Sequence, residues 1–279
     1  MSIAASGLQQ RTLTALLLVP LAVAAVLLLP TPYLALILAL IVQLGAWEWT
    51  ALAGISSFAA RFAYLFLMAA CLLLLWQAPL QHWYLYLLVP TVLWWLGLAI
   101  FLFRVRTIER ATGIDPALIP AGLLVLIGPW VAIVHLHARS PDGPMLVLVL
   151  LILIWVADSV AFFAGRRWGR EKLAPVLSPG KTRVGVYGGL MGAGVCGLLL
   201  AWGMDLPTGQ GLLTAAICTL TAFVSVIGDL YESLLKRRRG MKDSGRLLPG
   251  HGGVLDRIDS LTAAAPVFTL GILWMEAGL

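Results

Sequence analysis

Residues 145–172 read MLVLVLLILIWVADSVAFFAGRRWGREK, and this stretch decides the class of fold. Its first part, 145–164, is apolar apart from Asp158 and Ser159. A helix of about 20 apolar residues is long enough to cross a hydrocarbon layer of ~30 Å. The basic residues that follow are typical of a helix end at the membrane surface. The stretch therefore predicts a transmembrane helix with a carboxylate near one end.

The same kind of apolar run recurs along the whole chain. Of the 279 residues, 61% are hydrophobic and 11% are charged, and the mean hydropathy is +0.95. A soluble domain carries roughly 25% charged residues, so the composition excludes that class. We predict an all-α, polytopic integral membrane protein with about nine transmembrane helices. The predicted spans lie near 12–29, 32–53, 60–77, 83–103, 117–136, 145–164, 184–203, 210–230 and 258–276.

The basic residues predict the orientation of the chain in the membrane. With nine spans, the N-terminus and the loops after spans 2, 4, 6 and 8 share one face, which receives every Lys and Arg except Arg139. Lys and Arg in short loops stay on the cytoplasmic side, so the N-terminus is predicted to be cytoplasmic. The alternative for the first run is a cleaved signal peptide, but the run is longer than a typical signal sequence and a second span follows directly.

Polar residues are rare before residue 140. Glu48 is the only acid in the first four predicted spans, so it is a candidate for a polar contact between helices. His135 and His137 have the spacing of a metal pair, but no carboxylate or Cys lies beside them. The three cysteines fall inside spans without CxxC spacing and are predicted to be buried free thiols.

A first polar cluster lies at residues 157–185. Asp158, Gly165 and Arg166 fall on roughly the same helical face, which offers a carboxylate and a guanidinium to one space. The following loop contains SPGKT, 178–182, whose turn amides and Lys181 could cradle phosphate oxygens. The cluster is not a P-loop, because GxxxxGK[ST] is absent, and an ordinary cytoplasmic loop is the alternative.

A second polar cluster lies at residues 227–260. Asp229, Ser233, Lys236 and Arg237 share one helical face, and Asp256 and Asp259 are three residues apart at the start of the last span. Three converging carboxylates suit a hard cation such as Mg²⁺, and surrounding cations suit a polyphosphate. The alternative is that the run KRRR, 236–239, anchors the chain to anionic lipid headgroups. That alternative accounts for the last two arginines but not for the carboxylates.

Residues 233–259, SLLKRRRGMKDSGRLLPGHGGVLDRID, resemble the signature of the phosphatidate cytidylyltransferases, also called CDP-diacylglycerol synthases. The first cluster is similar to the upstream pattern of that family in Asp158, Gly165, Arg166, KLAP at 172–175 and SPGKT. The chain departs from the family where an apolar residue and then Glu or Gln usually follow SPGKT, because Arg183 and Val184 stand there.

The resemblance implies that CTP and phosphatidate react to give CDP-diacylglycerol and diphosphate at the cytoplasmic face of the inner (plasma) membrane. It also implies Mg²⁺ as cofactor, with room for a second cation, and a homodimer with no nucleic-acid partner. The expected metal ligands are Asp229, Asp256 and Asp259. The expected catalytic residues are Lys236, Arg237, Lys242, Asp243 and His251. The expected substrate-binding residues are Asp158, Arg166, Ser178, Lys181, Thr182, Ser233, Gly252, Gly253 and Arg257.

Two regions follow from this distribution of polar residues. Residues 1–140 are predicted to supply transmembrane helices for packing, dimer and lipid contacts. Residues 141–279 form the expected catalytic region, with cytoplasmic loops at 165–183 and 231–257. Two other functions stay open at this point, a transporter or scramblase for an anionic lipid or nucleotide, and a related enzyme that acts on another lipid phosphate or a polyprenol. A transporter of that type is expected to have related polar features in both halves, and here they lie in the second half only.

Overall fold

The computed structural model describes residues 16–78, 83–139, 141–247 and 252–276. Within these ranges the protein is almost entirely helical, which confirms the predicted fold class. The helices are α1 (Leu16–Leu28), α2 (Thr31–Leu52), α3 (Phe58–Trp76), α4 (Trp83–Leu102), α5 (Leu118–His137), α6 (Gly143–Trp168), α7 (Arg183–Gly203), α8 (Thr208–Arg238) and α9 (Leu255–Glu276). Helices α2 to α9 are long and apolar enough to cross a membrane. Helix α1 begins at the edge of the described residues, so the start of the first predicted span lies outside them.

Two helices continue further than the apolar runs indicated. Helix α6 extends to Trp168 and α8 to Arg238, so the first residues of both predicted loops are helical. Arg and Lys are good helix formers, and cations in the last turn interact favourably with the helix dipole, so the helices do not end where hydrophobicity ends. At 31 residues α8 is about 46 Å long, which exceeds a hydrocarbon layer of ~30 Å. It therefore carries its final polar turns past the apolar part of the bundle.

A short β-hairpin lies between α6 and α7. Strand β1 (Lys172–Ala174) pairs antiparallel with β2 (Ser178–Thr182), in a register that places Lys172 opposite Thr182 and Ala174 opposite Ser178. The sequence pattern predicts only a loop here. The Pro-Gly pair inside SPGKT favours a turn but provides no alternation of apolar and polar residues from which a strand could be predicted.

The C-terminal helices pack closely around α8, which contacts α4, α7 and α9. Gly228 of α8 lies against the backbone of α9, since a Cβ atom there would be 2.4 Å from the carbonyl oxygen of Asp259. Gly185 and Gly189 of α7 lie similarly close to carbonyl oxygens of α6. Small residues of this kind let the backbones of membrane helices approach each other. The polar ends of α6, α8 and α9 are thereby brought together.

The histidine pair in α5 has a structural role. His137 is buried, and its ring nitrogens lie 3.0 Å from the Thr31 hydroxyl and 2.8 Å from the carbonyl oxygen of Val26. The ring of His135 stacks on Tyr84 at a centroid distance of 3.6 Å. His137 therefore ties the end of α5 to α1 and α2, in agreement with the absence of a carboxylate or Cys beside the pair in the sequence.

Candidate active site

A cavity of about 480 Å³ opens between the end of α6, the hairpin and the start of α7. Its polar lining contains Asp158, Arg166, Lys172, Lys181 and Thr182. Four of these residues, all except Lys172, were predicted to bind substrate. Helix α6 and the hairpin supply them, so the cavity exists because the hairpin folds back over the last turns of α6. Three cations facing one space make a site for an anionic ligand.

The hydroxyl of Thr182 is used within the fold. It caps α7 by accepting a hydrogen bond from the Gly185 amide at 3.1 Å. Gly165 and Gly169 pack directly against it, since a Cβ atom on either would lie 2.7 or 2.5 Å from the same oxygen. Thr182 therefore fixes the cavity wall, because Ser and Thr are favoured residues at the N-terminus of a helix. Ser178 lies at the other end of β2, partly buried.

Lys181 connects the hairpin to α8. Its ammonium lies 2.7 Å from a carboxylate oxygen of Asp229, and about a quarter of its side chain is exposed. The other Asp229 oxygen accepts a hydrogen bond from the Ser233 hydroxyl at 3.3 Å. Asp229 also lies within electrostatic range of Asp158 and Asp259. The predicted residues of the first cluster and of α8 therefore belong to one polar network.

Lys236 forms the second half of this network. Its buried ammonium donates to an oxygen of Asp256 at 2.6 Å and lies 3.2 Å from Glu232. The other Asp256 oxygen accepts the amide protons of Ser244 at 2.9 Å and Gly253 at 2.8 Å. We call residues 240–254, between α8 and α9, the signature loop. Asp256 closes this loop onto the first turn of α9.

Two carboxylates take a larger part in the site than the sequence indicated. Glu232 is buried beside Lys236, whose ammonium lies 3.2 Å from one of its oxygens. It was not among the predicted site residues, although its position four residues before Lys236 places both side chains on one helical face. Glu48, predicted to make a polar contact between helices, makes that contact with the signature loop and with the start of α9.

The remaining predicted residues surround this core of ion pairs. Four of them have exposed side chains, namely Arg237, Lys242, Asp243 and Arg257. Gly252 has a φ of 83°, and a Cβ atom there would lie 2.6 Å from Asp256, so this position requires glycine. His251 lies outside the described residues.

Arg238 and Arg239 bind protein groups, which corrects their interpretation as lipid anchors. Arg238 pairs with Asp115 at 3.3 Å. Arg239 donates to the carbonyl oxygens of Leu52, Ala111 and Gly113 at 2.7 to 3.1 Å. Helix C-termini leave carbonyl groups without partners, and a guanidinium with several donors can satisfy them. Arg239 thereby fastens the end of α8 to the end of α2.

Of the three predicted metal ligands, Asp229 and Asp259 are better suited to bind a cation than Asp256. Among the residues that the structure describes, no three His, Cys, Asp or Glu side chains are grouped so that they could hold a metal ion. The Asp256 oxygens already accept from one ammonium and two amides. Asp229 and Asp259 lie within electrostatic range of each other, Asp229 is engaged by Lys181 and Ser233, and Asp259 accepts a hydrogen bond from the Ser260 amide. Mg²⁺ commonly takes one or two carboxylates together with substrate phosphates, so this pair has suitable chemistry.

The fold and the site together define a polytopic membrane protein that holds a cation-lined cavity and a network of carboxylates at one end of its helices. The model of the Cytidylyltransferase family matches residues 9–274, so the chain belongs to that family.

Curated relatives extend this similarity over the full length. The chain is 41% identical over 267 residues to a phosphatidate cytidylyltransferase of Pseudomonas aeruginosa, covering 96% of this chain and 97% of the relative. It is 38% identical over 283 residues to one from Haemophilus influenzae, covering 94% and 97%. A Brucella abortus protein of the same name is 47% identical over 142 residues, covering 50% of this chain and 52% of the relative.

Proposed function

We propose that this protein is a phosphatidate cytidylyltransferase, which converts CTP and phosphatidate into CDP-diacylglycerol and diphosphate. The observation that carries the proposal is the pair of ammonium groups, Lys181 and Lys236, held by carboxylates of α8 and α9 next to a cation-lined cavity. Such a site suits two anionic substrates that must meet. The names of the two full-length relatives supply the nucleotide and the lipid.

The reaction is a displacement at phosphorus. An oxygen of the lipid phosphate forms a bond to the α-phosphorus of CTP, and the bond from that phosphorus to the bridging oxygen of the β-phosphate breaks. Diphosphate leaves with the electron pair. A phosphate monoester is already ionised at neutral pH, so the attacking oxygen requires no general base, and we assign none to His251. The demands on the protein are charge neutralisation and alignment.

The placement of the cations assigns several of them to the polyphosphate of CTP. Arg166, Lys172 and Lys181 line the cavity and would bind phosphate oxygens there. Lys181 is paired with Asp229, so an incoming phosphate would replace that carboxylate as its partner. The exposed Arg237 and Lys242 stand at the start of the signature loop and would contact the same polyphosphate from the other side. Lys236 keeps two carboxylate partners, which makes it the most firmly held of these cations.

The activity is further proposed to depend on Mg²⁺. Asp229 and Asp259 would hold the ion, whereas Asp256, the third predicted ligand, already accepts hydrogen bonds from Lys236 and two amides. When bound, a divalent cation neutralises phosphate charge and stabilises the leaving diphosphate. If Asp229 and Asp259 hold it, Asp229→Asn and Asp259→Asn raise the Mg²⁺ concentration needed for half-maximal activity. The exposed Asp142→Asn at the start of α6 serves as control, because it lies at the opposite end of that helix from the cavity.

The membrane arrangement of the enzyme is part of the proposal. The site would face the cytoplasm, as the distribution of basic residues predicts, and the bacterial relatives favour the inner membrane. CTP would then arrive from solution, and phosphatidate would enter sideways from the bilayer between helices. A homodimer is implied by the family resemblance and can be tested by cross-linking in membranes.

The direct test is transfer of label from α-³²P-CTP into lipid by the purified protein in vesicles. We expect labelled product with phosphatidate and Mg²⁺, and none when diacylglycerol replaces phosphatidate, because it lacks the attacking phosphate. A polyprenyl phosphate and other lipid phosphates form separate arms. Product with one of these and not with phosphatidate would overturn the lipid assignment, and no product in any arm would overturn the enzyme assignment.

A further inference from the structure

Glu48 is a buried carboxylate in the N-terminal half that contacts the signature loop from the opposite side to Asp256. It is 3% exposed and lies in the last two turns of α2. Its oxygens accept hydrogen bonds from the Ser244 hydroxyl at 2.9 Å, the Val254 amide at 3.0 Å and the Leu255 amide at 2.9 Å. All three donors belong to the signature loop or to the residue that begins α9.

Among the described residues, the hydrogen bonds to the Glu48 carboxylate come from these three donors. No Lys or Arg forms a salt bridge with it within the described ranges. A buried carboxylate is costly unless it is hydrogen-bonded, and the first amides of a helix form a natural site for an anion. Glu48 therefore neutralises the N-terminal end of α9. The amides at the start of α9 provide donors for the buried carboxylate, and the carboxylate provides an acceptor for these amides.

The loop backbone is packed so tightly against Glu48 that no side chain fits between them. A Cβ atom on Gly245 would lie 2.2 Å from a Glu48 oxygen, and one on Gly253 would lie 2.4 Å from the other. Ser244 is held on both sides, because its amide donates to Asp256 and its hydroxyl to Glu48. The loop is thus clamped between a carboxylate of the helix that follows it and a carboxylate of a helix almost 200 residues earlier.

We propose that Glu48 is a positioning residue of the active site, which fixes the signature loop so that its cations and amides meet the CTP phosphates. The inference rests on the proposed function for the identity of the nucleotide, but the clamp itself does not. The sequence pattern placed the whole site in the C-terminal half of the chain. The inference adds α2, a helix of the N-terminal half, to the elements that form the site. Glu48 is buried, and it would act through Ser244 and the first turn of α9.

Limited trypsin digestion and steady-state kinetics on the purified full-length protein test the proposal together. Arg246 is exposed in the loop and provides a cleavage site that reports on loop order. Exposed Arg106, in the segment between α4 and α5, provides an internal reference site. The variants are Glu48→Gln, Ser244→Ala and, as matched control, Thr50→Val. Thr50 is buried in the same helix, and its hydroxyl donates only to Trp47 of that helix.

We expect Glu48→Gln to raise cleavage at Arg246 at least about fivefold relative to Arg106, because the loop opens locally. The KM for CTP should rise roughly tenfold with a smaller change in kcat, since one amide loses a charged acceptor. Ser244→Ala should produce smaller changes in the same direction, and Thr50→Val should produce neither. A general loss of folding would instead lower kcat and the melting temperature without selective cleavage at Arg246.

The proposal is overturned if Glu48→Gln matches Thr50→Val in both cleavage and KM. If Glu48→Gln cannot be purified, Ser244→Ala decides by the same two measurements, since it removes one hydroxyl only. A third outcome separates the two proposals. If Glu48→Gln increases cleavage at Arg246 but the wild-type protein transfers no label from CTP, the role of Glu48 in holding the loop stands and the enzyme assignment is wrong. The two failures are therefore distinguishable.

Discussion

An ion pair lies at the hairpin cavity and another lies beside the signature loop, but the first pair is partly exposed and the second is buried. In the cavity, Lys181 and Asp229 pair with 25% and 31% of their side chains exposed, and the surrounding cations face open space. Beside the loop, Asp256 of α9 has 6% of its side chain exposed, and both of its oxygens accept hydrogen bonds. An exposed pair exchanges partners at little cost, whereas a buried pair is expensive to break. Under the proposed function, the cavity would receive substrate, and the loop would be organised before substrate arrives.

The largest expected effect is a difference in the free energy of unfolding between variants of the carboxylates in these two regions. Asp256→Asn should lower the free energy of unfolding by about 3 kcal/mol, since it weakens a buried ion pair and two amide contacts. Asp229→Asn should lower it by less than about 1 kcal/mol, because its pair is partly exposed. Both variants should lower the rate of label transfer at a fixed Mg²⁺ concentration. Thermal or denaturant unfolding of the purified variants measures the difference, and equal destabilisation would contradict the contrast between the regions.

Two arginines at the end of α8 test the same contrast between engaged and exposed side chains. Arg239→Ala should destabilise the protein by about 2 kcal/mol, because three backbone carbonyls lose a charged donor. Arg237→Ala should change stability by less than about 0.5 kcal/mol, since the side chain is exposed, yet it should lower activity. Unfolding and label transfer measured on both variants test this. Normal stability of Arg239→Ala would show that the loop needs no fastening to α2.

Two glycines test the packing difference directly. Gly253→Ala should cost about 1–3 kcal/mol and reduce activity, since the new methyl group would overlap Ser244 and Glu48. Gly180→Ala, within β2 of the hairpin, should leave stability nearly unchanged, because a Cβ atom there would have no heavy atom of another residue within 4 Å apart from its chain neighbours. Melting temperatures of the two variants provide the measurement. The contrast fails if Gly180→Ala is the more destabilised protein.

The smallest effect concerns the position at which the sequence departs from the family pattern. Arg183 pairs with Glu171 at 3.1 Å, and both side chains are mostly exposed. Exposed pairs contribute about 0–1 kcal/mol, so Arg183→Ala should change stability by less than that and the rate of label transfer by about twofold at most. A loss of activity of an order of magnitude would assign Arg183 to substrate binding.

The number, type and order of helices could be predicted from the sequence because membrane spans require long apolar runs. The nine predicted segments correspond to α1 to α9, with the beginning of the first outside the described residues. The ends of α6 and α8 could not be predicted in the same way, since their last turns leave the apolar layer and are helical for local reasons. The hairpin was missed because the Pro-Gly pair of SPGKT predicts a turn, whereas the structure places these five residues in β2 and the turn at residues 175–177.

Most candidate residues were recognisable by type, but not their partners. Helical spacing correctly placed Asp229 and Ser233 together, since their side chains form a hydrogen bond one turn apart. It could not show that Asp256 pairs with Lys236, because that contact joins two helices. The role of Glu48 was least accessible, since about 200 residues separate it from its donors and only the packed fold brings them together. The assignment of Asp229, Asp256 and Asp259 to a metal stays a prediction.

Photo-crosslinking tests most directly whether the cavity and the signature loop form one nucleotide site. CTP with a photoreactive group on its terminal phosphate is irradiated with the purified protein, and the labelled peptides are identified by mass spectrometry. The account predicts labelling both in the hairpin segment, 169–183, and in the signature loop, with unmodified CTP suppressing both. Labelling confined to one of these segments, or found instead near Arg139 just beyond the end of α5, would contradict it.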